Sequence, residues 1–145
     1  MKHKIIFPSG EKNYEETIEY KAKLWGSEKL ITNTEKYCVK LMTQDPKTKV
    51  SLHYHLKKEE TFILISGKLI IETVCGTDGS HEITWLKDLG DSVTLKPGTP
   101  HTFYTPDDQL GQTMFIEAST QDFNDDSYRI YPSKGKDTNS GGSNS

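Results

Sequence analysis

The stretch SLHYHLKKEETFILISG (51–67) places two of the chain's five histidines two residues apart and follows them with adjacent glutamates. Side chains of an extended strand alternate faces, so Ser51, His53 and His55 share one side of a strand at 50–55, with Val50, Leu52 and Tyr54 on the other. Two imidazoles at that spacing sit about 7 Å apart at the backbone, and their rings can lean toward one cation about 2 Å from each nitrogen. A carboxylate arriving from the next strand can supply an oxygen to such a site. A further ligand has to come from far along the chain, and His101, in KPGTPHTF (96–103), begins a later strand behind a Gly/Pro turn. The competing readings are an exposed polar strand and a hydrogen-bonded polar cluster without metal.

Outward from this stretch, runs rich in Val, Ile, Thr, Tyr and Phe recur between turn-forming segments such as QDPKTK, GTDGS, DLGD and TPDDQLG. They predict strands at 29–32, 36–43, 50–55, 60–66, 68–75, 81–86, 92–95, 101–104 and 112–118. Many short strands with little helix indicate an all-β sandwich, jelly roll or barrel. At the N-terminus, EKNYEETIEYKAKLW (11–25) is rich in helix formers and predicts a short helix ended by Gly26. KGKDTNSGGSNS (134–145) has no aliphatic or aromatic side chain and predicts a flexible tail. The expected organisation is an N-terminal extension (1–23) packed on the barrel, a folded body (24–132) and a tail (133–145).

A length of 145 residues is that of one domain, able to bury roughly two thirds of its unfolded surface. The net charge of −3 argues against a nucleic-acid partner, which needs a basic face. The pair Lys57–Lys58, followed at once by Glu59–Glu60, reads as a solvated turn. Cys38 and Cys75 lie in strand-like runs with no C-x-x-C spacing and read as small buried hydrophobes. No stretch reaches the roughly 18 apolar residues of a membrane span, and MKHKIIFPSG (1–10) has too short an apolar run for a signal peptide. The chain is expected to be soluble and cytoplasmic. Ile63, Ile65 and Ile71 form an expected apolar outer face. His81 reads as a hairpin-flank residue, and Trp25 and Trp85 as core or interface residues.

Two motifs then resemble those of the cupin superfamily. The first is His53-x-His55, four residues, Glu60, six residues, Gly67; the second is Gly90, five residues, Lys96-Pro97-Gly98, two residues, His101. Lys96 stands where cupins usually carry proline, and Thr105 where they carry asparagine; neither change touches a ligand. The resemblance implies a double-stranded β-helix of jelly-roll type. It also implies one divalent ion (Zn, Mn, Fe, Ni or Co) held by His53, His55, Glu60 and His101, with Glu59 the rival carboxylate. Alternation that turns Glu60 inward also turns Phe62 and Leu64 inward.

Further segments resemble type II phosphomannose isomerase domains: LWGSEKLI (24–31), YCVKLM (37–42) followed by SLHYHLKKEE, KPGTPH, FIEAST (115–120) and NDDSYR (124–129). His53 replaces the glutamine common in that family. The likeness implies a sugar or sugar-phosphate aldose–ketose isomerase, with Arg129 in a catalytic or substrate-binding role and a homodimer as the assembly. The proton-lifting base would be Glu117 or a lysine such as Lys40, which is also a candidate to bind substrate. Surface ion pairing with Asp125 or Asp126 competes for Arg129, and ordinary exposed strand charge competes for Lys40 and Glu117. Two other functions compete: a non-catalytic cupin that binds a sugar or nucleotide-sugar, and a small Fe-dependent dioxygenase-type cupin.

Overall fold

The structure is a computed structural model that describes residues 1–9 and 14–135. The described residues form strands and no helix. In chain order they are β1 (Lys2–Ile5), β2 (Tyr14–Thr17), β3 (Glu19–Lys23), β4 (Gly26–Asn33), β5 (Cys38–Gln44), β6 (Leu52–Tyr54) and β7 (Glu60–Ser66). After these come β8 (Leu69–Cys75), β9 (Ser80–Leu86), β10 (Ser92–Leu95), β11 (His101–Tyr104), β12 (Thr113–Ser119) and β13 (Tyr128–Tyr131). All nine expected strands are present, some with ends shifted by a few residues.

The helix expected over 11–25 is not formed where the chain is described; residues 11–13 lie outside the described residues. Its place is taken by β2 and by β3, which hydrogen-bonds antiparallel to β4 from Glu19↔Leu30 to Lys23↔Gly26. Ile18, Tyr20, Ala22 and Leu24 recur every second residue, the period of a strand. Helix propensity is a weak preference that a ladder of this length overrides.

Two main sheets enclose the core. One runs β10-β7-β12-β5-β4-β3 and the other β13-β6-β11-β8-β9, every pairing antiparallel, while β1 and β2 form a separate two-stranded sheet. Phe62, Phe103 and Phe115 meet between the main sheets with ring centroids 5.1–5.7 Å apart, and Trp25 packs edge-on to Phe103. Phe62 also faces His101 at 6.2 Å, so the apolar core ends where the histidines begin.

Burial corrects some single-residue expectations and agrees with others. Ile71, placed on the outer face, is fully buried in the core because it pairs with inward-facing Phe103; Ile63 and Ile65 are half-buried. Val50 is also in the core, since strand alternation starts only at Leu52. Trp25 is buried and Trp85 is 45% exposed. Cys38 is buried and Cys75 partly so, both as free thiols. At the C-terminal end, Ser133 is buried and accepts the Ser51 amide, and Lys134 pairs with Lys49. The rest of the expected tail, 136–145, lies outside the described residues. Among the described residues no helix is long and apolar enough to cross a membrane.

Candidate metal centre

β6 carries His53, and His55 follows just past its end. His101 opens β11 and is the direct Cα partner of His53. Glu60 opens β7 in the other sheet, so imidazoles from one sheet meet a carboxylate from the facing one. The KPGTP turn brings His101 into place: Gly98, at φ 84°, donates its N–H to the His55 carbonyl over 2.6 Å. A left-handed φ of this kind is one that glycine adopts without a Cβ penalty.

Each imidazole is held by its Nδ1. His53 Nδ1 lies 2.7 Å from the Ser51 carbonyl, His55 Nδ1 2.6 Å from the Asp126 carbonyl, and His101 Nδ1 2.9 Å from the Thr99 carbonyl. A carbonyl only accepts, so Nδ1 is the donor in all three, and in the neutral ring the lone pair is on Nε2. The ligand atoms of His53, His55 and His101 lie within 4.8 Å of one another. Glu60 closes the group, with Oε2 3.3 Å from His55 Nε2 and Oε1 3.5 Å from His101 Nε2. Glu59 turns away and pairs with Lys96 at 3.2 Å.

Glu60 Oε2 and His101 Nε2 are buried without a hydrogen-bond partner. Buried polar atoms are rarely left in that state. Together with three backbone-anchored imidazoles, they make a donor set that fits a divalent cation, since anchoring of the second ring nitrogen is what orients metal-binding histidines.

Burial, reinforced by the neighbouring imidazoles, pushes His53 down to about 3, so it stays neutral as a ligand must. Burial and the Lys58 ammonium also lower His55. For His101, burial acts downward but contact with Glu60 outweighs it and raises the ring. Burial acts upward on Glu60, and His101 with Lys58 outweighs it and holds the carboxyl low.

A cavity of about 210 Å³ is lined in part by His53, His55 and Glu60. This is below the roughly 300–1,000 Å³ of pockets for drug-sized ligands and suits a small molecule. One wall is apolar, formed by Trp25, Met42 and Phe103. Beside these residues the lining is a charge network. Lys58 Nζ lies 3.2 Å from Glu117 Oε2 and 3.1 Å from Asp122 Oδ1; Lys40 Nζ lies 3.1 Å from Asp122 Oδ2 and 3.5 Å from Glu28 Oε2. Burial lowers the Lys40 and Lys58 ammonium groups, but the carboxylates around them, Glu117 foremost, outweigh it and raise both.

The structure thus gathers His53, His55, Glu60, Lys40 and Glu117 around one space and sets His101 against His53 and Glu60. Arg129 is exposed on β13, opposite His53 in the ladder, and does not line the cavity. His81 is exposed on β9 and bonded to Glu72.

Lys58, read as part of a solvated turn, is only 5% exposed. The cause is Asp126, whose buried carboxylate accepts the amides of Leu56, Lys57 and Lys58 and folds the turn with Lys58 inward. Lys57 stays exposed. Asp122 and Glu28 were also missed. Lys58 shares the parity of Glu60, which was the available signal; Asp122, in the segment after β12, left none.

The profile of the family described as "Mannose-6-phosphate isomerase C-terminal" matches residues 10–123. Among solved structures, CapF with the inhibitor 3-isopropenyl-tropolone aligns at a TM-score of 0.70 and 19% identity, covering 79% of this chain and 34% of that one. The capsular polysaccharide assembling protein CapF from Staphylococcus aureus aligns at 0.68 and 20% identity, covering 86% and 34%. Oxalate decarboxylase from Bacillus subtilis aligns at 0.67 and 16% identity, covering 78% and 30%. The chain spans about a third of the length of these solved relatives. At such identities the likeness shows the fold, a cupin jelly roll. Among curated proteins, none matches the sequence.

Proposed function

The chain belongs to the mannose-6-phosphate isomerase C-terminal family of cupins, and on that premise we propose that it is a metal-dependent aldose–ketose isomerase of a sugar or sugar phosphate. The observation that carries this reading is the convergence of three carbonyl-anchored imidazoles and Glu60, with His53, His55 and Glu60 lining a small cavity. His53, His55, Glu60 and His101 hold one divalent ion, Zn, Mn, Fe, Ni or Co. That ion would polarise the substrate's carbonyl and neighbouring hydroxyl oxygens.

This chain's own residues do the rest. Lys40, kept cationic by the carboxylates around it, is suited to bind substrate oxygens and not to take a proton from carbon. Glu117 is therefore the base: its carboxylate lifts the proton from the hydroxyl-bearing carbon beside the carbonyl and returns it to the former carbonyl carbon, while the hydroxyl proton passes to the former carbonyl oxygen. Trp25, Met42 and Phe103 keep water from that side of the substrate. Arg129, outside the cavity lining, is proposed to act only if a bound substrate reaches β13. The functional unit is the body at 24–132 together with β3, whose Lys23 lines the cavity, and Ser133–Lys134, which pair with Ser51 and Lys49, working as a cytoplasmic homodimer joined through the half-buried face of Ile63 and Ile65.

A second reading is supported by the Lys58–Glu117 contact, which occupies the candidate base. It is a sugar-binding domain without turnover. The test is incubation of metal-loaded protein with a panel of aldoses and aldose phosphates, mannose 6-phosphate first. Ketose formation supports the isomerase. Binding without ketose, with His101→Ala changing affinity alone, supports the binding domain.

A further inference from the structure

Lys58 is the least exposed charged group of the turn that joins the two sheets at the site, and three carboxylates from separate segments converge on its ammonium. Glu117 Oε2 comes from the middle of β12 at 3.2 Å, Asp122 Oδ1 from the segment after it at 3.1 Å, and Glu60 Oε2 from the start of β7 at 3.8 Å. The first two are within hydrogen-bond reach; the third is an ion pair.

Its place is built in. The Lys58 amide is bound by the Asp126 carboxylate over 3.1 Å, and that same residue's carbonyl anchors the His55 ring. Removing an ammonium from water costs several kcal/mol and is offset only by well-placed partners. Glu60 is the partner that also meets the imidazoles: it presents Oε1 toward His101, and Oε2 toward both His55 and the ammonium.

We infer that Lys58 is a positioning residue that fixes the Glu60 carboxylate against the imidazole cluster and ties it to Glu117. Through one side chain, the carboxylate that meets the ion and the carboxylate that faces the cavity are set relative to each other. This rests on the metal reading given above and adds to it a residue outside the donor set.

The test uses chelator-stripped protein titrated with Co²⁺ alone, following both affinity and the visible d–d absorption. Lys58→Met is expected to weaken Co²⁺ binding about 10- to 100-fold, the usual cost of losing a group that orients a ligand, and to alter the d–d bands. Lys58→Arg, which keeps the charge, should recover most of the affinity. Because Lys58→Met alone leaves buried carboxylates uncompensated, it is repeated in a Glu117→Gln/Asp122→Asn background and compared with that background carrying Lys58. Wild-type affinity and spectrum in Lys58→Met, in either background, would overturn the inference. So would equal weakening in Met and Arg variants with unchanged spectra, which marks a purely structural lysine. A wild-type protein that takes up no Co²⁺ defeats the metal reading itself, a different result from a Lys58 variant that binds normally.

Discussion

His53 and His101 are direct Cα partners across the β6–β11 ladder, and their ring centroids stand 4.5 Å apart. Residues far apart in the sequence thus become neighbours by strand register, and a one-residue slip would send one ring to the opposite face. The site is a consequence of the ladder. Whatever fixes the β6–β11 register also fixes two of the proposed ligands.

Glu117→Gln keeps the shape of the proposed base and removes its ability to accept a proton. Ketose formation should fall about 100-fold or more, while ion content stays at the wild-type level. An initial-rate assay beside elemental analysis reads both. Activity within a few-fold of wild type would move the base elsewhere.

Gly26 begins β4 at φ 151°, and a Cβ there would run into the Thr43 carbonyl oxygen. Gly26→Ala should cost about 2 kcal/mol or more, since backbone strain and backbone contact add. Thermal melting checks this. An unchanged midpoint would mean that the β4–β5 ladder yields easily.

Asp126 accepts three backbone amides with its carboxylate and anchors His55 with its carbonyl. Asp126→Ala leaves those amides without their acceptor, and the buried one, the Lys58 N–H, costs about 1–3 kcal/mol when left unpaired. The variant should unfold at clearly lower urea and show faster hydrogen exchange at residues 56–58. Wild-type exchange there would contradict the capping role.

Asp122 sets a pH dependence. Burial acts upward on its carboxyl, but Lys58 and Lys40 outweigh it and hold it below the ordinary 3.8. The folded state therefore holds this proton less readily than the unfolded chain. The stabilisation is fully present above pH 3.8 and is lost as the pH falls through the lower folded value. Urea midpoints measured from pH 6 to pH 2 should fall more steeply below 3.8 for wild type than for Asp122→Asn. Parallel curves would show that Asp122 does not carry this acid sensitivity.

The barrel was legible because its strands carry β-branched and aromatic residues between turn segments, and because Phe62 and Leu64 alternate in phase with Glu60. The histidines and Glu60 were legible through that same alternation and through the spacing of two motifs. The stretch 11–25 misled because its glutamates and lysines favour helix in isolation, whereas pairing with β4 decides the outcome. Lys58 was misread because its burial depends on a cap from Asp126, a contact that local sequence does not encode. The charge wall of Asp122 and Glu28 exists only once β4, β5 and the segment after β12 come together.

The most direct test of the central claim is ion content by elemental analysis of protein purified without chelator, comparing wild type with His53→Ala/His55→Ala. About one divalent ion per chain in wild type and none in the double variant is the predicted result. A fully loaded double variant, or an ion-free wild type that stays empty when offered Zn, Mn, Fe, Ni or Co, would contradict it.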